Sequence, residues 1–243
     1  MTYEYCIISV DDTRHDNKMN IRSCVTWPEA KIDYVDGRIP SELKKAKHKW
    51  NQVDTPGPFK SGEFGVFFSI LNVFEYGAEN NGILYFEDDA IVLPGFQERI
   101  DSYVNDLPNT ADMFAVWSPA NQRADYDCIR TFNNVGEPQY GSKVTREPIF
   151  DYGHRDLCYL WQGYGNVSML FTKKGCQKAL NYIREKGFFS PVDCLICIAV
   201  HSGRLSGYAL KPTVKPLLDY DWNRPTTVQK SRWGMIDELM EEI

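Results

Sequence analysis

Three adjacent acids, Glu87-Asp88-Asp89, follow directly on the apolar run Ile83-Leu84-Tyr85-Phe86. A short apolar run behind the turn Asn80-Asn81-Gly82 reads as a buried strand, so the carboxylates stand at its carboxyl end. In open α/β sheets that is the edge at which ligands bind. Carboxylates packed this closely repel one another unless a cation or hydrogen bonds offset the charge. Hard oxygen ligands on a short turn suit Mn2+ or Mg2+, which also takes oxygens from a diphosphate. A cation so placed acts as a Lewis acid, neutralising charge on a departing phosphate. Glu87 and Asp89 have acid-x-acid spacing and are the expected metal ligands, Asp89 first. The competing reading is a helix cap or a solvated turn.

Two further groupings carry chemistry. The run Lys44-Lys45-Ala46-Lys47-His48-Lys49-Trp50 is basic within an acidic chain. Its plain reading is a solvated helix face. As a functional patch it suits a donor diphosphate, an anionic lipid surface, or a DNA backbone with Trp50 available for stacking. Arg123, Arg130, Tyr126 and Phe132 keep an acidic polymer open as acceptor. Cys194 and Cys197 form a CxxC, but inside an apolar run that reads as a buried helix, where two small core residues are the simpler account.

The elements that must position these residues alternate. Tyr3 to Val10 reads as a first buried strand. Asp11-Asp12-Thr13 offers caps for a helix from about Arg14. Lys31 to Val35 reads as a second strand stopped by Asp36-Gly37, and Ser41 to Trp50 as a basic helix. Ser61 is the expected N-cap of a core helix carrying Phe64, Phe67, Phe68, Leu71 and Phe74 at helical spacing and ending near Gly77. After the acidic turn, Pro94 opens a helix to about Asp106, and Asp112 to Trp117 is a strand. Residues 118–157 are polar and turn-rich, as binding loops or lids are. Val167 to Phe171 is a strand, Lys173 to Lys186 a helix, and Pro191 to His201 a more buried helix. The tail after Lys211 is Pro-rich and then acidic. The order predicts a single α/β domain over 1–243, with a Rossmann-like, mostly parallel mixed sheet flanked by helices on both faces.

Composition narrows the class. With 43% hydrophobic and 14% aromatic residues in 243, the chain can bury a sizeable core and is not disordered. A net charge of -6 argues against a non-specific nucleic-acid binder. No run approaches the roughly 18 apolar residues of a spanning helix, so no transmembrane segment is expected. The start, Met1-Thr-Tyr-Glu-Tyr-Cys, carries acid where a signal peptide carries base. Seven scattered cysteines fit a reducing cytoplasm, including a peripheral position at the inner face of a membrane.

Several segments together resemble glycosyltransferase family 25, which includes lipooligosaccharide galactosyltransferases and collagen galactosyltransferase domains. Val35-Asp36-Gly37 is similar to the family's AVDG-like turn, and Gly62-Glu63-Phe64-Gly65 with Ser69 to its GEIGC-x-x-SH helix start. Leu84 to Asp89 resembles its strand ending in EDD. Thr172-Lys173-Lys174-Gly175-Cys176 with Ala179-Leu180 resembles a later helix, and Ser190-Pro191-Val192-Asp193 its PVD. The order is kept from about Ile8 to Val200. The family's His after the serine is Ile70 here, and its Cys is Val66.

The resemblance implies a GT-A fold, a nucleotide-sugar donor (a UDP-sugar first) and a divalent metal, Mn2+ or Mg2+. It sets Ser9, Asp11 and Asp36 near the nucleotide, with Arg14 within reach of a phosphate from its helix start and Asp88 at the donor. Glu63 is either a donor contact or a first-turn cap. Gly163 and Gly165 resemble the glycine-containing loop beside a donor sugar. Inverting transfer to a hydroxyl needs a general base, and Asp193 is the candidate, with a helix-terminus carboxylate as the plain alternative. His201 is a further metal or phosphate ligand by the same resemblance, or a partner of the helix dipole.

The leading expectation is an inverting glycosyltransferase acting on a glycan or glycolipid. A hydroxymethylated base in DNA is the alternative acceptor, and a non-catalytic nucleotide-sugar-binding protein the alternative class. A two-metal phosphohydrolase lacks its His-rich or paired-Asp spacing.

Overall fold

In chain order the elements are β1 (Tyr5–Ile8), α1 (His15–Cys24), α2 (Pro40–Lys49), α3 (Ser61–Glu79), β2 (Gly82–Glu87), β3 (Ala90–Val92), α4 (Phe96–Asp106) and β4 (Met113–Trp117). There follow β5 (Ile129–Phe132), β6 (Pro138–Tyr140), β7 (Leu157–Tyr159), β8 (Ser168–Thr172), α5 (Lys173–Lys186), α6 (Val192–His201), β9 (Gly207–Leu210) and β10 (Leu218–Tyr220). The computed structural model describes residues 3–9, 14–55, 59–117, 129–132, 138–140, 153–160, 167–211 and 213–220.

The strands are apolar along their length because both faces of the sheet are covered. Side chains alternate between faces, and each parity finds its own core. Ile83 and Tyr85 of β2, Met113 and Ala115 of β4, and Met169 and Phe171 of β8 pack with α2, α3, α5 and α6. Leu84 and Phe86, Phe114 and Val116, and Leu170 join Ile21 of α1 and Phe96, Ile100 and Tyr103 of α4. The result is a three-layer α/β arrangement, as the alternating order predicts.

The main sheet has six strands in the order β1-β2-β8-β4-β9-β7. β1 runs parallel to β2 and β4 parallel to β9, while β8 is antiparallel to both β2 and β4, and β7 to β9. Four strands therefore share one direction and two oppose it, a mixed sheet. The carboxyl ends of β1, β2, β4 and β9 emerge at one edge, with the start of β8 between them. There Ile8 lies beside Glu87, and Ser168 beside both Phe86 and Trp117.

Three expectations need correction. Residues 31–35 do not form a strand; the neighbourhood contributes one isolated bridge, Tyr5 to Glu29. Side chains of α3 take the place of a ladder: Val35 donates its N–H to Ser69 Oγ at 2.9 Å, and Asn72 Nδ2 donates to Asp33 O at 2.8 Å. Ser61 is the first residue of α3 and not its cap; the flanking residue is Lys60, and the helix continues past Gly77 to Glu79. The span 118–157 is not all loop, since β5 and β6 pair antiparallel within it and β7, beginning at Leu157, joins the main sheet. The expected acidic helix near the end lies outside the described residues. Among the described residues no helix is long and apolar enough to cross a membrane.

Candidate functional site

Alternation decides where each acid of the strand end points. Glu87 is the last residue of β2 and shares parity with Ile83 and Tyr85, so it falls on the face that α6 covers. α6 begins after Pro191, whose extended backbone leads the chain into the helix and puts Asp193 in its first turn. Asp193 Oδ1 accepts a hydrogen bond from the Cys194 N–H at 2.8 Å. Burial pushes the Glu87 carboxyl well above its ordinary range, and the charges of Asp89, Asp193 and Asp88 add to the effect while Arg14 opposes it. The same neighbours reach the buried Tyr85 hydroxyl, raised by burial and then by Glu87 and Asp193. Glu87 and Asp193, 106 positions apart by numbering, thus come near enough for their charges to act on each other.

Asp88 and Asp89 form the turn into β3 and face α1. Asp88 is held on three sides. Ser9 Oγ donates to its Oδ2 at 2.9 Å, Arg14 Nη1 to its Oδ1 at 2.9 Å, and Asn17 Nδ2 to its backbone carbonyl at 3.1 Å. The same Arg14 nitrogen lies 3.0 Å from Asp89 Oδ2. Arg14 is 5% exposed and Asp89 2%. Burial works against the Arg14 charge, but Asp89 and Asp88 more than offset it and raise the guanidinium above its ordinary value. Burial raises the Asp89 carboxyl, with Arg14 pulling the other way. Its second oxygen, Oδ1, is buried with no hydrogen-bond partner among the described residues. A buried polar atom left this way is costly and asks for a partner.

That oxygen bears on whether a cation fits. Among the described residues, no three His, Cys, Asp or Glu side chains converge as a ready-made cation cage. A hard cation shared with substrate phosphates needs only one or two protein carboxylates. Asp89 Oδ1 and the Glu87 carboxyl, two positions apart at the strand end and near enough for their charges to act on each other, offer that number, and the donor set fits.

The other expected residues are placed as follows. Asp36 forks with Arg38, Nε to Oδ1 at 2.8 Å and Nη2 to Oδ2 at 2.7 Å, and its backbone N–H donates to Glu42 Oε2 at 2.8 Å. Glu63 Oε2 accepts the Lys60 N–H at 2.7 Å, the capping arrangement at the start of α3. His201 ends α6 and is exposed; eight residues of helix separate it from Asp193 by about 12 Å, so it is not brought to Glu87 as Asp193 is. Asp11, Gly163 and Gly165 lie outside the described residues. Trp50 is buried at 5% and donates its indole N–H to Asn72 Oδ1 at 3.2 Å, so it offers no ring for stacking.

One residue of the arrangement escaped the sequence reading. Asn17 stands three positions after Arg14 on the same face of α1, and that spacing is the signal that could have found it. Cys194 and Cys197 are both buried without a disulfide, as the core reading predicts.

No family model matches the chain, and no curated protein does. Solved structures that match include the apo crystal structure of mouse xyloside xylosyltransferase 1. It is 12% identical, the match covers 83% of this chain and 70% of that one, and the TM-score is 0.41.

Proposed function

We propose that this chain is a glycosyltransferase that moves a sugar from a nucleotide-sugar donor, a UDP-sugar first, to a hydroxyl of a glycan or glycolipid. The observation that carries the reading is Asp89 Oδ1, a buried carboxylate oxygen without a hydrogen-bond partner among the described residues, in the turn that follows Glu87 at the carboxyl end of β2. Asp89 and Glu87 would hold Mn2+ or Mg2+, which when bound supplies Lewis-acid stabilisation to the leaving diphosphate. Ser9 and Asn17 fix the turn that carries these acids, so the ligands are held before the donor arrives. Asp193 takes the proton of the acceptor hydroxyl as its oxygen bonds to the anomeric carbon and the bond to the diphosphate breaks. A base on the strand-facing turn of α6 suits inversion, in which the attacking and leaving oxygens lie on opposite sides of the sugar carbon.

The buried Trp50 favours a glycan or glycolipid acceptor over DNA, because the basic helix α2 presents no stacking ring. The test is a thermal-shift panel of UDP-, GDP- and CDP-sugars with and without Mn2+. One nucleotide sugar raises the midpoint only with metal, and Asp89→Asn abolishes the shift. A panel with no metal-dependent shift for any donor overturns the reading. Slow hydrolysis of the stabilising donor then separates an enzyme from a binding protein.

A further inference from the structure

Arg14 is an internal cation set directly against the acid turn. It stands at the residue before α1, is 5% exposed, and sets one guanidinium nitrogen 2.9 Å from Asp88 Oδ1 and 3.0 Å from Asp89 Oδ2. It cannot drift from these partners without burying an unpaired charge. Asp89 therefore has two oxygens in different surroundings: Oδ2 faces Arg14, and Oδ1 has no hydrogen-bond partner among the described residues. A cation taken up at Oδ1 shares one carboxylate with the guanidinium. Two positive charges then stand a few ångströms apart in a poorly solvated corner, where their repulsion is strong. A diphosphate arriving at the same edge adds negative charge between or beside them and removes that repulsion.

We propose that Arg14 is a coupling residue: it suppresses the binding of a divalent cation alone and makes cation and nucleoside diphosphate bind together. This rests on the donor-site reading above and adds to it a regulation of the same site. By linkage, whatever factor the diphosphate contributes to cation affinity, the cation contributes to diphosphate affinity. A metal site of this kind stays empty until donor is present, and then holds both. Arg14 acts here through the carboxylates it pairs with, as a positioning residue.

The experiment is a Mn2+ titration followed by electron paramagnetic resonance of the free ion, with and without UDP, for the wild type, Arg14→Gln and Arg14→Lys. In the wild type, UDP tightens Mn2+ binding by about tenfold or more. Arg14→Gln binds Mn2+ alone about tenfold more tightly than the wild type, and the effect of UDP shrinks. Arg14→Lys keeps the charge and keeps the suppression. A merely structural role predicts weaker Mn2+ binding in both variants. Mn2+ binding by Arg14→Gln alone that is no tighter than the wild type overturns the proposal. If Arg14→Gln does not fold, the wild type decides: equal Mn2+ affinity with and without UDP overturns the coupling while leaving the donor site standing. Absence of Mn2+ binding in every form, UDP present or not, overturns the donor-site reading as well.

Discussion

Arg22 and Glu29 form an ion pair that water reaches, which sets the buried pairs of the acid turn in relief. Arg22 Nε and Nη2 each donate to a Glu29 oxygen at 2.9 Å, and the Tyr5 hydroxyl adds a longer bond at 3.3 Å. The Arg22 hydrogen bond is the main reason the Glu29 carboxyl lies below its ordinary value of 4.5. Both side chains are still about a third or more exposed, at 43% and 35%, so Glu29→Gln should cost less than about 1 kcal/mol at pH 7. A lowered carboxyl stabilises the fold above its unfolded value, and that contribution is lost as pH falls through the folded value. Urea midpoints of wild type and Glu29→Gln should therefore differ slightly at pH 7 and converge as pH falls through the lowered value.

At the acid turn the same kinds of groups are 5% exposed or less for Arg14 and Asp89, and their arrangement matters more. The acids themselves stood out in the sequence as three carboxylates directly after four apolar residues. The bonds between them and their partners were not legible, even though the resemblance sets Ser9 and Arg14 near the same donor. Ser9, Arg14 and Asn17 come 79, 74 and 71 positions earlier than Asp88, and no local pattern connects a helix start to a turn that far away.

Among the elements, the turn at 35–37 and the start of α3 form one unit. A Cβ on Gly37 would lie 1.8 Å from Ser61 O, and one on Gly65 would lie 2.6 Å from Gly37 N and 2.8 Å from Val35 O. Both contacts are with backbone, which cannot swing aside. Ser69 Oγ fastens the pair, accepting from Val35 N–H and donating to Gly65 O at 2.8 Å. Ser69→Ala leaves a buried N–H unpaired and should cost about 1–3 kcal/mol. Gly37→Ala should cost more, because the backbones must part; chemical denaturation of the two variants tests the order.

This packing also explains the failed strand at 31–35. An alternating segment before an Asp-Gly turn reads as a strand, yet its backbone groups are satisfied by Ser69 and Asn72 of a helix. The long helices were readable because their apolar stripes repeat over several turns, and α5 fits its expected bounds from a Thr172 cap that accepts the Gly175 N–H at 3.0 Å. β7 and β9 have only 3 and 4 residues, too few for periodicity to stand out from flanking polar sequence.

At the scale of the molecule, the sheet holds two buried acids at opposite edges. Asp89 lies at the carboxyl ends of the parallel strands. Asp112, 0% exposed, immediately precedes β4 at the opposite edge, where it accepts from Lys178 Nζ at 2.5 Å and from the Ser206 N–H at 2.9 Å. That pairing ties α5 to the β4–β9 edge. Asp112→Ala should cost about 2–3 kcal/mol of stability while leaving the metal-dependent donor shift intact. Asp89→Asn should abolish the shift, so thermal scans of the two variants with and without donor separate architecture from chemistry.

The strand order carries one more implication. β2 and β4 each hydrogen-bond to β8 and not to each other, and β8 is the last of the three to be made. Synthesis therefore delivers β1 with β2, and β4 apart from them, with open edges that can pair wrongly. Only when residues 168–172 leave the ribosome do the halves join, and only then does the acid turn of β2 gain its neighbouring wall.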